Sequence, residues 1–263
     1  MNHRQAILSG DLYPSDPSEL RALVGKCLSM AVSDSGYPKA IIAPHAGYSY
    51  SGPIAAAAYA QLSGCRSVYD RVVLIGHGHG SPTYGVAIPS DEFFVTPLGQ
   101  IEIDSLAIEL ILKFPWVHIA GDQHSCEHSL EVHLPFLQET LEDFILVPLI
   151  VGHVCPSEME EVLETLCLDE KTLLVVSSDL SHYHTHEETC ELNQKTALAI
   201  EELNIREIYP ERACGAYPIR GLLRFAQKHR LKPKTLGLAS SNEAIGFRDD
   251  IVGYGAWGFY NAR

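Results

Sequence analysis

The sequence predicts an α/β fold with a mostly parallel central sheet covered by helices on both faces. Two observations carry that prediction. Apolar runs alternate with helical patterns along the chain, the signature of layered α/β architecture. The runs are also continuous and rich in β-branched and aliphatic residues, as strands buried on both faces are. The strands expected on this basis cover residues 39–43, 71–75, 144–151, 173–177, 235–238 and 252–259. Two weaker runs, 93–96 and 101–103, flank Pro97-Leu98-Gly99 and read as a hairpin, and 117–120 reads as another short strand. Helices are expected over 16–30, 51–62, 105–113, 128–141, 157–166, 187–203 and 219–228. Pro14 and Pro17 bracket the start of the first helix, where proline is tolerated. Asp104 is placed to cap the helix that opens at Ser105. Repeats, low-complexity tracts and Pro/Gly-rich linkers do not stand out, so residues 1–263 read as one domain.

Composition narrows the function classes. Apolar residues make up 46% of the 263, enough for a sizeable core. The net charge of −14 argues against sequence-independent binding to nucleic acid or to an anionic membrane, both of which need cationic surface. It suits a small-molecule or peptide partner. The longest apolar run, 144–154, is interrupted by Pro148 and is too short to span a bilayer. The opening MNHRQAILSGDLYP has neither the apolar core nor the cleavage site of a secretory signal. Seven scattered cysteines, an odd number, do not make a disulfide framework, and a reducing cytoplasm is the expected compartment. The 13 histidines are the informative count, since imidazole is the usual side chain for metal ligation and proton transfer near neutral pH.

Several of these histidines fall where an α/β sheet binds ligands, just past the carboxyl ends of expected strands. IIAPHAGY places His45 there, VVLIGHGHG places His77 and His79, and LLVVSSDLSH places Asp179 and His182. A histidine hydrogen-bonded in a turn is the competing reading for His45 and His79, and their matching positions after successive strands favour metal ligation. In an extended loop His77 and His79 point apart, and periodicity alone does not say which faces the site. Cys214, in ERACGAYPIRG, precedes a helical pattern, which predicts a lowered thiol pKa; a small buried hydrophobe is the alternative. CEHSLEVHLPF carries Glu127, His128, Glu131 and His133 on an expected amphipathic helix, without the HExxH order of zinc proteases. His184 and His186 fit the solvated start of a helix. The chain lacks a GxxxxGK[ST] phosphate loop, a suitably placed GxGxxG and a GxSxG elbow, which disfavours nucleotide hydrolysis, dinucleotide redox chemistry and α/β-hydrolase activity.

LYPSDPSEL, IIAPHAGYSYSG, LIGHGHG, TPLGQIEID, EHSLEVHLPF, VVSSDLSHY, ACGAYPI and DDIVGYGAWG, spread over nearly the whole chain, together resemble the Memo family, the B component of the AmmeMemoRadiSam group. The resemblance implies a fold similar to class III extradiol non-haem iron dioxygenases, with a site in the same place and changed ligands. It implies a metal held by two histidines and a cysteine, which by motif are His45, His79 and Cys214. The family's second-strand loop usually reads Gly-Pro-x-His, so Gly76-His77-Gly78-His79 selects His79 and leaves His77 as an added neighbour. Asp179 and His182 match the family's site-lining acid and histidine, and His128 and His133 match its EHS…LP segment. These four are the implied catalytic residues.

The cysteine departs from the two-histidine, one-carboxylate pattern of such dioxygenases. Thiolate is softer than carboxylate and favours copper or zinc more than a carboxylate does. The expected cofactor is one metal ion, iron or copper, with zinc as a further candidate. The expected function is a metal-dependent redox or oxygenase-like enzyme on a small molecule, His182 moving the proton under the orienting hold of Asp179. The alternatives are a metal- or peptide-binding interaction protein without turnover and a zinc-assisted hydrolase.

Overall fold

The computed structural model of the protein describes residues 2–33, 36–80, 83–245 and 251–262. The chain opens with β1 (His3–Arg4) and α1 (Pro17–Met30). Asp16 caps α1 by accepting from the Ser18 and Glu19 backbone N–H groups, with Pro17 in the first turn. There follow β2 (Ala40–Ala43), α2 (Tyr48–Tyr59), β3 (Arg71–His77) and β4 (Val86–Ile88). The expected hairpin forms as β5 (Phe93–Thr96) and β6 (Gly99–Glu102), turning at Gly99 with φ +134°. Next come α3 (Ser105–Ile111), capped by Asp104 as expected, β7 (Val117–Ile119), α4 (Gly121–Cys126), α5 (Leu134–Thr140) and β8 (Ile145–Val151). The rest is α6 (Pro156–Leu166), β9 (Thr172–Ser177), β10 (His182–His184), α7 (His186–Glu201), α8 (Ala216–His229), β11 (Lys232–Ser240), α9 (Ser241–Ile245) and β12 (Ile251–Tyr260).

Among the described residues, nine strands form one sheet in the order β10-β12-β2-β9-β3-β8-β4-β7, with β11 along the other edge of β12. The four central strands β2, β9, β3 and β8 run parallel. The margins turn antiparallel, β12 against β2 and β4 against β8. A small second sheet joins β1, β5 and β6. Successive residues of the central strands point to opposite faces. Ile42, Val73, Ile75 and Val176 pack on one side with Met159 and Leu163 of α6 and Leu222 and Phe225 of α8. Ile41, Leu74 and Val175 pack on the other with Leu20 and Val24 of α1 and Ala56 and Tyr59 of α2. Both faces are therefore covered by helices.

The expected helix over 128–141 is the main departure. A 3₁₀ turn, Glu131–His133, leads into α5, and the segment before it is not helical. Long-range partners outweigh local propensity there. The Glu131 carboxylate accepts from Arg4, from the Ile7 and Leu8 backbone N–H groups and from the Tyr13 hydroxyl. Of the resemblance motif DDIVGYGAWG, residues 249–250 lie outside the described residues. Among the described residues, no helix is long and apolar enough to cross a membrane.

Candidate metal centre

Three neighbouring parallel strands, β2, β9 and β3, end side by side, and the loops leaving them carry His45, Asp179 and His79 to one place. Ser177, the last residue of β9, lies between the other two and sets the orientation of His45. Its hydroxyl donates to the Ser129 carbonyl at 2.6 Å, which uses its one proton. The His45 Nδ1, also 2.6 Å from Ser177 Oγ, must then be the donor in that contact. The Nε2 lone pair of His45 is left facing the site. Glu127 does the same for His79: one carboxylate oxygen accepts the His79 backbone N–H at 2.6 Å, and the other lies 2.9 Å from its Nδ1. A carboxylate only accepts, so His79 is protonated at Nδ1 and presents Nε2.

The third imidazole is His128. Ligand atoms of His45, His79 and His128 lie within 4.8 Å of one another, and the three could hold one metal ion. The segment carrying His128 is held from several sides. Arg4 donates to the Glu127 carbonyl at 2.7 Å, and Ser129 donates to the His77 carbonyl at 3.0 Å. Gly76 permits that approach, because a Cβ there would lie 2.2 Å from Ser129 Oγ. Cys214 Sγ lies 3.5 Å from His45 Nε2, in a loop tied down by the Cys214 N–H on the Asp179 carbonyl at 3.2 Å.

The electrostatics suit neutral donors. Burial, then the neighbouring histidines, hold His45 well below its ordinary value. Burial and His79 lower His128. For Glu127 burial opposes ionisation, but the bonds from His79 and Ser129 prevail and hold it at about 2. Asp179 is pushed up to about 7 by burial, against the His45 and Ala46 backbone N–H groups. Cys214 is a correction. Burial pushes its thiol up to about 12, and the Asp179 carboxylate acts in the same direction. The expected lowering at a helix start does not prevail, because α8 begins only at Ala216 and desolvation dominates.

The other sequence-expected residues are placed differently. The Asp179 carboxylate accepts the His45 backbone N–H at 2.8 Å and does not hold His182. His182 bonds instead to the Leu180 backbone, and burial lowers it. His133 is buried beneath the site, its Nδ1 2.8 Å from the Tyr59 hydroxyl and its Nε2 without a partner. His77 is fixed by its Nδ1, 3.0 Å from the Val151 carbonyl. The anchoring roles of Ser177, Glu127 and Arg4 carry no sequence signal beyond a polar residue beside a candidate ligand.

A family model described as "Memo-like protein" matches residues 4–257. A "MEMO1 family protein" of Aquifex aeolicus (strain VF5) is 31% identical over 265 residues, 97% of this chain and 98% of that protein. One from Sulfurisphaera tokodaii is 35% identical over 231 residues, 81% of this chain and 80% of that protein. Among solved structures, that of uncharacterized protein JW3007 from Escherichia coli K12 is similar with a TM-score of 0.51, covering 83% of this chain and 98% of that chain. At 14% identity that likeness concerns the fold alone.

Proposed function

The chain belongs to the Memo family, and on that premise we propose that it binds one metal ion through His45 and His79, with Cys214 and His128 as the further donors, and uses it in redox chemistry on a small molecule. The observation that carries this reading is the convergence of three imidazoles within 4.8 Å, beside a thiol 3.5 Å from one of them. The donors fit a metal: burial lowers His45 and His128, and His45 and His79 have their outer nitrogens engaged so that the inner nitrogens face the site. Imidazole suits iron, copper and zinc, and a thiolate shifts the preference toward copper and zinc. Bound iron or copper would supply one-electron chemistry at this position, whereas zinc would supply Lewis acidity.

The chain's own residues then have distinct tasks. Ser177 and Glu127 keep His45 and His79 in one tautomer. Cys214 gives up its thiol proton on ligation. Asp179, whose carboxyl burial pushes up, lies beside His45, whose Nε2 is 4.0 Å from its Oδ2. His182, half-buried and neutral, is the residue we assign to proton transfer with substrate. A free thiol in the donor set also fits a reducing cytoplasm.

Metal analysis after anaerobic purification, with EPR of the same sample, tests this. A stoichiometric iron or copper ion that cycles between oxidation states while O₂ is consumed supports it. Stoichiometric zinc with ester or amide hydrolysis overturns the redox assignment, as does a metal without turnover beside saturable peptide binding.

A further inference from the structure

From the histidine cluster a file of aromatic rings runs on to the surface. Centre to centre, His79 is 5.6 Å from His77, His77 is 6.2 Å from Tyr217, Tyr217 is 4.8 Å from His153, and His153 is 5.5 Å from Tyr84. Tyr84 ends the file 70% exposed. Midway along it, the Tyr217 hydroxyl lies 2.6 Å from His153 Nδ1. The metal reading above uses neither residue. We propose that Tyr217 and His153 form a redox-active phenol–imidazole pair that carries one-electron oxidising equivalents between the histidine cluster and Tyr84.

The chemistry follows from the hydrogen bond. Removing an electron from a phenol makes its O–H strongly acidic, and oxidation is easiest where a base is already in place. On the metal reading above, on which this inference rests, the electron acceptor would be an oxidised iron(III) or copper(II) ion held at the histidine cluster, reduced by one electron as the Tyr217 proton moves 2.6 Å to His153 Nδ1. The O–H bond breaks, an N–H bond forms, and the products are a neutral phenoxyl on Tyr217 and an imidazolium on His153. In the outward step Tyr84 gives an electron to that phenoxyl, the proton returns from His153 to Tyr217, and Tyr84 releases its own phenolic proton to water.

A second tyrosine–histidine contact shows why this one is selected. Tyr59 and His133 are 2.8 Å apart, but both are buried, and burial holds His133 down to about 3. An imidazolium there would be stripped of water, so the proton has nowhere to go. His153 is exposed, and its imidazolium stays hydrated. The His77 ring, fixed by the Val151 carbonyl, lies within 29° of parallel to Tyr217 and joins it to His79.

Flash oxidation of the metal-free protein with photogenerated ruthenium(III) tris-bipyridine, a one-electron oxidant, tests the pair independently of any metal. Phenoxyl formation is followed by transient absorbance and by EPR. The wild-type protein should form an early neutral phenoxyl that Tyr217→Phe abolishes. His153→Gln should slow its appearance by about two orders of magnitude, the scale of a lost positioned proton acceptor. The wild-type rate should fall in D₂O, and Tyr84→Phe should lengthen the lifetime of the Tyr217 radical. An early signal unchanged in Tyr217→Phe overturns the proposal. So does a His153→Gln rate equal to wild type without a solvent isotope effect. An unchanged lifetime in Tyr84→Phe removes the outward step.

Discussion

Glu127 grips His79 twice, through the backbone N–H at 2.6 Å and the ring Nδ1 at 2.9 Å. One buried carboxylate therefore fixes both the loop and the tautomer of a proposed ligand. Glu127→Gln keeps the shape but puts an amide where an acceptor is needed. Metal affinity should fall by about 10- to 100-fold, the usual effect of losing such an outer partner. Competition with a chelator of known strength measures it. Unchanged affinity would mean that the His79 ring is held by packing alone.

The donor set can be read spectroscopically. With cobalt(II) as a probe, the wild-type protein should show a thiolate-to-metal charge-transfer band, and Cys214→Ser should lose it. His45→Ala and His79→Ala should each abolish stoichiometric loading. A wild-type cobalt complex without the sulfur band would leave a three-histidine site, with Cys214 as a neighbour only.

Acid should destabilise the fold in two stages. Burial holds His124 down to about 4 against an ordinary value of 6.5, despite its bond to the Ala87 carbonyl. Between those values the unfolded chain binds a proton that the native chain refuses, so stability falls as the pH drops from 6.5 to 4. The His124 contribution alone should reach about 3 kcal/mol, the equivalent of a shift of this size; His133, held down to about 3, adds to the loss, and Asp179, pushed up to about 7, opposes it. Glu127, native at about 2 against 4.5, is ionised in the native chain where the unfolded chain is protonated, and it extends the loss from 4.5 downward. Urea unfolding of the wild type and of His124→Gln at a series of pH values isolates this, since the wild-type midpoint should fall relative to that of the variant as the pH drops. A midpoint difference between the two that stays constant over pH 6.5 to 4 would contradict it.

Arg4 and Glu131 form a buried ion pair at 2.7 Å, with both side chains almost fully enclosed. Arg4→Met would strand the Glu131 charge and strip the donor from the Glu127 carbonyl. The cost should be about 3–5 kcal/mol in unfolding free energy, typical of breaking one side of a buried pair. Denaturant titration at neutral pH decides. A loss below about 1 kcal/mol would show that Tyr13 and the backbone donors suffice for Glu131.

The sheet and its ligand-bearing ends were legible because they rest on local signals: long apolar runs with histidines immediately after them. His45 could thus be placed from spacing, whereas the choice of His79 over His77 came from the family resemblance. The position of His128 could not. Its segment reads as helix by pattern, and it is unwound by partners more than a hundred residues away in sequence, Arg4 foremost. The Asp179–His182 pairing failed for a similar reason. Proximity in sequence suggested it, but the strand order β2-β9 puts the His45 backbone nearer to that carboxylate. The lowered pKa expected for Cys214 erred because a helix start is visible in sequence and the depth of burial is not.

The locking of His45 and His79 has a bearing on which ion a cell would supply. Rings already oriented by Ser177 and Glu127 need little ordering when an ion arrives, so on the proposed reading the cluster would act as a ready-made chelator. Preformed nitrogen and sulfur donors rank the divalent first-row ions by intrinsic affinity, with copper at the head of the series and iron(II) well below it. Such a site cannot by itself hold iron against copper. Occupancy by iron would then have to be decided upstream, by how scarce free copper is kept and by what hands the ion over.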